Sequence, residues 1–198
     1  VMYITAVYFN FFWLFGGMPD LKAIENPESQ EASEIISADG QTLSKFFIEN
    51  RTPVEFDQLS PNIVKALIAT EDARFVKHSV IVPRSMFRVL KGVASSDQGT
   101  TGGGSTLTQQ LAKNLFQTRS DKYKGVMGDL PLIKTVIAKT KEWILSVRLE
   151  RNYTKQEIMT MYLNTVSFGN NADGIKTASK TYFRKEPWNL DLTEAALL

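Results

Sequence analysis

The chain has 198 residues, with 23 Lys and Arg against 21 Asp and Glu, a formal net charge of +2, one His and no Cys. Hydrophobic residues at 43% and charged residues at 22% exclude a disordered or collagen-like chain, and the near-neutral total gives no support to a nucleic-acid binder. The lack of cysteine rules out a disulfide scaffold and a thiolate metal site, and a lone His78 rules out a multi-histidine metal centre.

Residues 1–18 carry no charge. As one helix they would cover roughly 27 Å, close to the ~30 Å of a bilayer core, and Tyr3, Tyr8 and Trp13 are aromatics of the interfacial kind. The expectation is a transmembrane anchor. Its rivals are a buried core helix and a signal peptide, the latter disfavoured by the absence of a basic start and of a cleavage site before Pro19. Because the chain opens on Val1, it is expected to be a fragment lacking a cytoplasmic head.

Residues 19–33 read as a polar linker, and residues 34–198 as the functional domain. Glu34 to Ala38 and Thr42 to Phe47 flank Asp39-Gly40, a hairpin-turn signal. The remainder is expected to be mainly helical. Ser60-Pro61 is an N-cap with Pro at N1, followed by Ile63, Val64, Leu67 and Ile68 at helical spacing. Residues 95–104 form a glycine-rich loop. Thr106 with Gln109 is a capping box for a helix from Leu107 to Phe116. Arg119 to Leu132 reads as irregular. Val136 to Arg151 presents one apolar face of a long helix, and Thr154 with Glu157 opens the next. Short helices follow Gly169-Asn170-Asn171. Charge is unevenly placed along this order. Residues 20–57 hold nine acids and three bases, whereas residues 113–151 hold nine bases and four acids. A positive field over the second segment suits an anionic substrate or anionic lipid.

Three groups could carry chemistry. Glu71 lies four residues after Leu67 and seven after Val64, on an apolar stripe where burial would raise the pKa of an acid and fit it for general base or acid work; the plainer reading is a loop residue paired with Arg74. The loop ending at Gly104 runs into a capped helix whose N-terminus favours anions, and Gln110 and Lys113 share a face there; the plainer reading is a cap with a solvated face. Lys139, Glu142 and Ser146 lie opposite the Trp143/Val147 stripe, where the plainer reading is an i,i+3 ion pair.

Five blocks in this order resemble the glycosyltransferase domain of class A penicillin-binding proteins and the monofunctional transglycosylases. They are Glu71-Asp72-Ala73-Arg74-Phe75 with His78; Gly103 to Lys113 continuing through Phe116; Lys139-Thr140-Lys141-Glu142 through Glu150; Lys155 to Ile158 with Tyr162-Leu163-Asn164; and Glu194 to Leu198. The resemblance implies a lysozyme-like α-helical domain with a small membrane-facing jaw. It implies polymerisation of lipid II into β-1,4 glycan strands of peptidoglycan, on the outer face of the bacterial cytoplasmic membrane. By the same resemblance Glu71 is the base on the acceptor 4-hydroxyl and Glu142 the second essential acid. Arg74, Phe75, Ser105, Gln110, Lys113 and Lys139 are substrate-binding positions. No cofactor is required by the motifs, although a divalent cation, Mg or Mn, could sit at the pyrophosphate. Expected partners are lipid II, the growing lipid-linked glycan, the membrane, a C-terminal transpeptidase domain and cell-wall synthesis proteins, with no nucleic acid.

The chain departs from the family pattern at Val80 and Val82, usually Gly and Asp, at Ala138, usually Arg, and at Arg184, usually Gly. It is also longer than expected between Arg119 and Lys139, which leaves Lys122 and Lys124 without aligned counterparts. Rival functions are a lysozyme-like glycan-cleaving enzyme and an inactive membrane scaffold.

Overall fold

Local capping chemistry sets most of the helix starts in the computed structural model, which describes residues 2–21, 33–39, 42–46, 52–76 and 105–198. His78, Val80, Val82 and the glycine-rich loop through Gly104 lie outside these residues, as does most of the expected linker. The described residues are mainly helical, with one two-stranded hairpin. They divide into two compact units, residues 1–21 with 67–162 and residues 22–66 with 163–198.

The first unit opens with α1, Met2–Tyr8. The helix expected over residues 1–18 stops there, and no helix among the described residues is long and apolar enough to cross a membrane. The reason is local. Asn10 adopts the left-handed conformation at φ 48°, a region that asparagine tolerates better than most residues. Its Oδ1 then accepts from the Phe15 amide at 3.1 Å, and Phe12, Trp13 and Gly16 also have positive φ. Tertiary contacts hold this turn. Leu14 O accepts from Met127 N at 3.0 Å, Tyr3 meets Phe15 edge-on at 6.0 Å, and Val7 is fully buried.

In the same unit, α3 (Leu107–Phe116) has the expected bounds, and Thr106 Oγ1 caps it by accepting from Gln109 N. Helix α4 spans Pro131–Asn152. It begins five residues before the expected Val136 because Pro131 occupies N1, where a missing N–H is harmless. The irregular stretch before it is two 3-10 turns, Asp121–Tyr123 and Val126–Asp129. Both α1 and α3 pack on α4. The core contains Leu107, Leu111, Phe116, Leu145, Leu149 and Ile158, each at most 4% exposed. Helix α5, Lys155–Thr165, opens on the expected capping box: Thr154 N donates to Glu157 Oε2 at 2.7 Å while Glu157 N donates to Thr154 Oγ1.

The second unit holds strands β1 (Ser33–Ile36) and β2 (Thr42–Phe46), antiparallel with Glu34 opposite Lys45. It also holds most of α2, Pro61–Glu71. There Ser60 does double duty at the helix start: its Oγ accepts from Asn62 N and donates to Leu190 O. Asn164, from the fourth sequence block, is structural. Its amide accepts from Val54 N at 3.0 Å and donates to Val54 O at 2.8 Å, closing a two-bond bridge to the backbone. Helices α6 (Ile175–Phe183) and α7 (Leu192–Leu197) complete the unit. Arg184 ends α6 at φ 55°. That left-handed position is one where glycine is free of strain, which gives a physical reason for the glycine usual at this place.

Candidate active site

Two separate clusters of candidate residues are built in the first unit. The first surrounds Glu71. This residue closes α2 and is exposed, so the burial inferred from its phase is absent: the buried face of α2 carries Ile63 and Leu67, and the chain turns away at Asp72. What Glu71 has instead is a directed partner. Gln110 Nε2 donates to Glu71 Oε2 at 2.7 Å, and Tyr162 OH donates to Gln110 Oε1 at 3.4 Å. Burial and, second to it, the charge of Glu71 push the Tyr162 phenol up to about 12.

The turn after Glu71 is pinned from below. Phe75 is fully buried, and Lys155 Nζ lies 4.3 Å from its ring centroid, a cation–π contact. The same ammonium pairs with Glu150 Oε2 at 2.8 Å, while Glu150 Oε1 accepts from Thr108 Oγ1 at 2.7 Å. Glu150, the end of the third block, thus ties α4 to α3 and to the start of α5. Arg74 is exposed and forms no ion pair with Glu71 among the described residues; its backbone N–H donates to Asp72 Oδ1.

The second cluster is centred on Glu142, which is 0% exposed. Lys139 Nζ lies 2.6 Å from Glu142 Oε2, an ion pair off the hydrogen-bonding direction, and donates a directed bond to Ser105 Oγ at 2.9 Å. On the other carboxylate oxygen, Arg119 Nε stands at 3.4 Å and Thr118 Oγ1 at 3.5 Å. A buried carboxylate is costly unless paired; here one anion meets two cations, one of which also holds the residue at the mouth of α3. Ser105, Lys139 and Glu142 are therefore brought together. Gln110 instead faces Glu71, and Lys113 is exposed with no ion pair among the described residues. In the sequence Arg119 stands out only as one base of the positive segment, at the edge of the over-long stretch before Lys139, and Tyr162 only through its block.

Among the described residues no three His, Cys, Asp or Glu side chains gather as metal ligands, and the oxygens of Glu142 already face Lys139, Arg119 and Thr118. That donor set does not fit a cation held by the protein alone. Beside Glu142 on α4, Lys141 is also buried, and its Nζ donates to Gly17 O at 3.0 Å and Tyr123 O at 2.9 Å. Burial lowers its pKa to about 8.

A family model described as Transglycosylase matches residues 39–198. The chain is 36% identical over 186 residues to Penicillin-binding protein 1A of Aquifex aeolicus, covering 93% of this chain and 24% of that protein. It is 38% identical over 168 residues to Penicillin-binding protein 1F of Bacillus subtilis, covering 84% and 21%. Against Penicillin-binding protein 1A of Escherichia coli it is 36% identical over 181 residues, covering 91% and 20%. The chain thus spans 20 to 24% of the length of these curated relatives.

Proposed function

Since this chain belongs to the transglycosylase family, we propose that it is a peptidoglycan glycosyltransferase that polymerises lipid II into β-1,4 glycan strands. In this reading the two carboxylates have different duties, set by their surroundings. Glu71 is exposed, with Oε2 bonded to Gln110 and Oε1 unpartnered among the described residues. It takes the proton from the acceptor 4-hydroxyl as that oxygen attacks the anomeric carbon. The bond from that carbon to the pyrophosphate oxygen breaks with inversion, and the pyrophosphate leaves with the electron pair. Glu142 works indirectly. It holds Lys139, which bonds Ser105 at the mouth of α3, and Arg119 on its other oxygen, so that cations stand ready where negative charge develops, the arrangement that lowers a barrier without reorganisation during the reaction. The observation that carries the reading is the Ser105–Lys139–Glu142 chain, which ties a helix N-terminus to a fixed ammonium.

Ser105, Lys113 and Arg74 are proposed to meet the pyrophosphate and sugars, and Phe75 to hold the turn that follows Glu71. A divalent cation, Mg or Mn, would have to find its ligands on the substrate pyrophosphate, since the described residues gather no set of their own, and it would supply positive charge there. The fold is proposed to be the lysozyme-like head, with the membrane-facing jaw as its smaller part. The protein works at the outer face of the bacterial cytoplasmic membrane, where the exposed Phe9, Phe11, Phe12 and Trp13 offer an apolar surface to lipid. A transpeptidase domain in the same protein and cell-wall synthesis proteins are its proposed partners. The test is polymerisation of labelled lipid II by wild type and Glu71→Gln side by side. Wild type makes glycan strands, and the variant loses at least a hundredfold in rate, the scale of a general base. Absence of polymer from wild type refutes the activity; an equally active variant refutes the role of Glu71.

A further inference from the structure

Glu71 ends its helix and is exposed, so its own element does not fix the direction of its carboxylate. Among the described residues its one hydrogen-bond partner is Gln110, through Nε2. A glutamine amide can turn over and exchange its oxygen for its nitrogen. Turned over, Gln110 would set Oε1 against a carboxylate oxygen, two acceptors with no hydrogen between them. The far end of the amide decides between the two states. There Tyr162, 6% exposed, places its hydroxyl 3.4 Å from Gln110 Oε1. A phenol pushed up to about 12 by burial and by the charge of Glu71 keeps its proton throughout the working range, so it is available as a donor. It satisfies the amide oxygen and leaves the amide N–H for Glu71.

We propose that Tyr162 is a positioning residue for the reaction, acting through Gln110 to hold Glu71 Oε2 so that Oε1 is the oxygen presented to the acceptor hydroxyl. This rests on the reading of Glu71 as the base. It also gives Gln110 a duty toward the base rather than toward the pyrophosphate.

Tyr162→Phe removes one oxygen and keeps the ring in its packing. The variant is expected to lower kcat for lipid II polymerisation about tenfold, less than the roughly hundredfold or more of losing a general base outright, because the base is displaced and not removed, with KM little changed. In a Gln110→Leu background the same substitution has no further effect, since the two act in series. Equal losses in both backgrounds, or a wild-type kcat in Tyr162→Phe, overturn the proposal. A second readout separates it from the assigned activity. The side-chain amide signals of Gln110 in a proton–nitrogen NMR spectrum report its two hydrogen bonds and move in Tyr162→Phe. Identical Gln110 amide signals in the two proteins overturn the positioning role. A moved amide signal in the variant, with a wild type that makes no polymer, keeps the Tyr162–Gln110–Glu71 chain and discards the polymerase.

Discussion

Lys141 allows a prediction with a worked magnitude. The residue is 1% exposed, its ammonium donates to two backbone carbonyls, those of Gly17 and Tyr123, and burial lowers its pKa from 10.5 to about 8. Between those two pH values the folded chain binds fewer protons at this site than the unfolded chain, so stability rises with pH. At about 1.36 kcal/mol per unit, the gap is worth on the order of 3 kcal/mol, absent below pH 8 and complete above 10.5. Lys141→Met removes the buried charge along with both hydrogen bonds. At neutral pH the relief of burying an ammonium and the loss of two bonds to carbonyls, each about 1 to 3 kcal/mol, nearly offset. At high pH the wild-type amine is neutral and still donates to both carbonyls, and the substitution brings only loss. The stability difference between the two proteins therefore widens by on the order of 3 kcal/mol from neutral to strongly alkaline pH. Urea unfolding followed by tryptophan fluorescence measures it at each pH, and titrations common to both proteins cancel in the difference. Parallel pH curves for wild type and Lys141→Met would refute the reasoning.

Two further outcomes complement the tests of Glu71 and Tyr162. Lys139→Met leaves Glu142 buried with Arg119 as its remaining cation and frees Ser105; breaking such a pair costs about 3 kcal/mol or more, so both urea stability and polymerisation fall together, the latter even at saturating lipid II. Arg184→Gly relieves a left-handed residue, worth about 1 to 2 kcal/mol, against a smaller glycine entropy cost; a gain of about 0.5 to 1 kcal/mol in urea stability with an unchanged rate is expected, and a loss of stability contradicts it.

The parts of the fold legible in the sequence are those whose signals are local. Thr106 and Thr154 announce their helices because a capping side chain bonds an N–H three residues on, within reach of any reading of the chain. The N-terminal segment was not legible in the same way. Eighteen uncharged residues pointed to a bilayer ahead of a buried core, whereas the break at Asn10 is held by distant groups, Met127 and Lys141 among them. The site shows the same divide. Lys139 and Glu142 are a turn apart and their pairing could be anticipated, whereas Arg119 reaches Glu142 across 23 residues and Gln110 reaches Glu71 across 39. Glu71 itself was singled out by a burial that the folded chain does not provide. Its actual distinction, an amide partner on α3, is a tertiary fact that periodicity does not carry.

Neighbouring positions on α4 bury opposite charges: Lys141 in a cage of carbonyls and Glu142 between two cations. Successive residues of a helix point about 100° apart, so the two cages lie on different sides of one rod. Turning that rod by a single residue in one sense would set the ammonium toward Arg119, and in the other sense would offer the carboxylate to the carbonyl oxygens of Gly17 and Tyr123, each a repulsive exchange. Helix α4 is consequently keyed, with one permitted rotation about its axis and one permitted axial position. An apolar helix of the same length could slide or roll by small steps at modest cost; this one cannot. A one-residue insertion within it would have to be absorbed entirely outside the span from Lys139 to Glu142, leaving those four residues in phase with both cages.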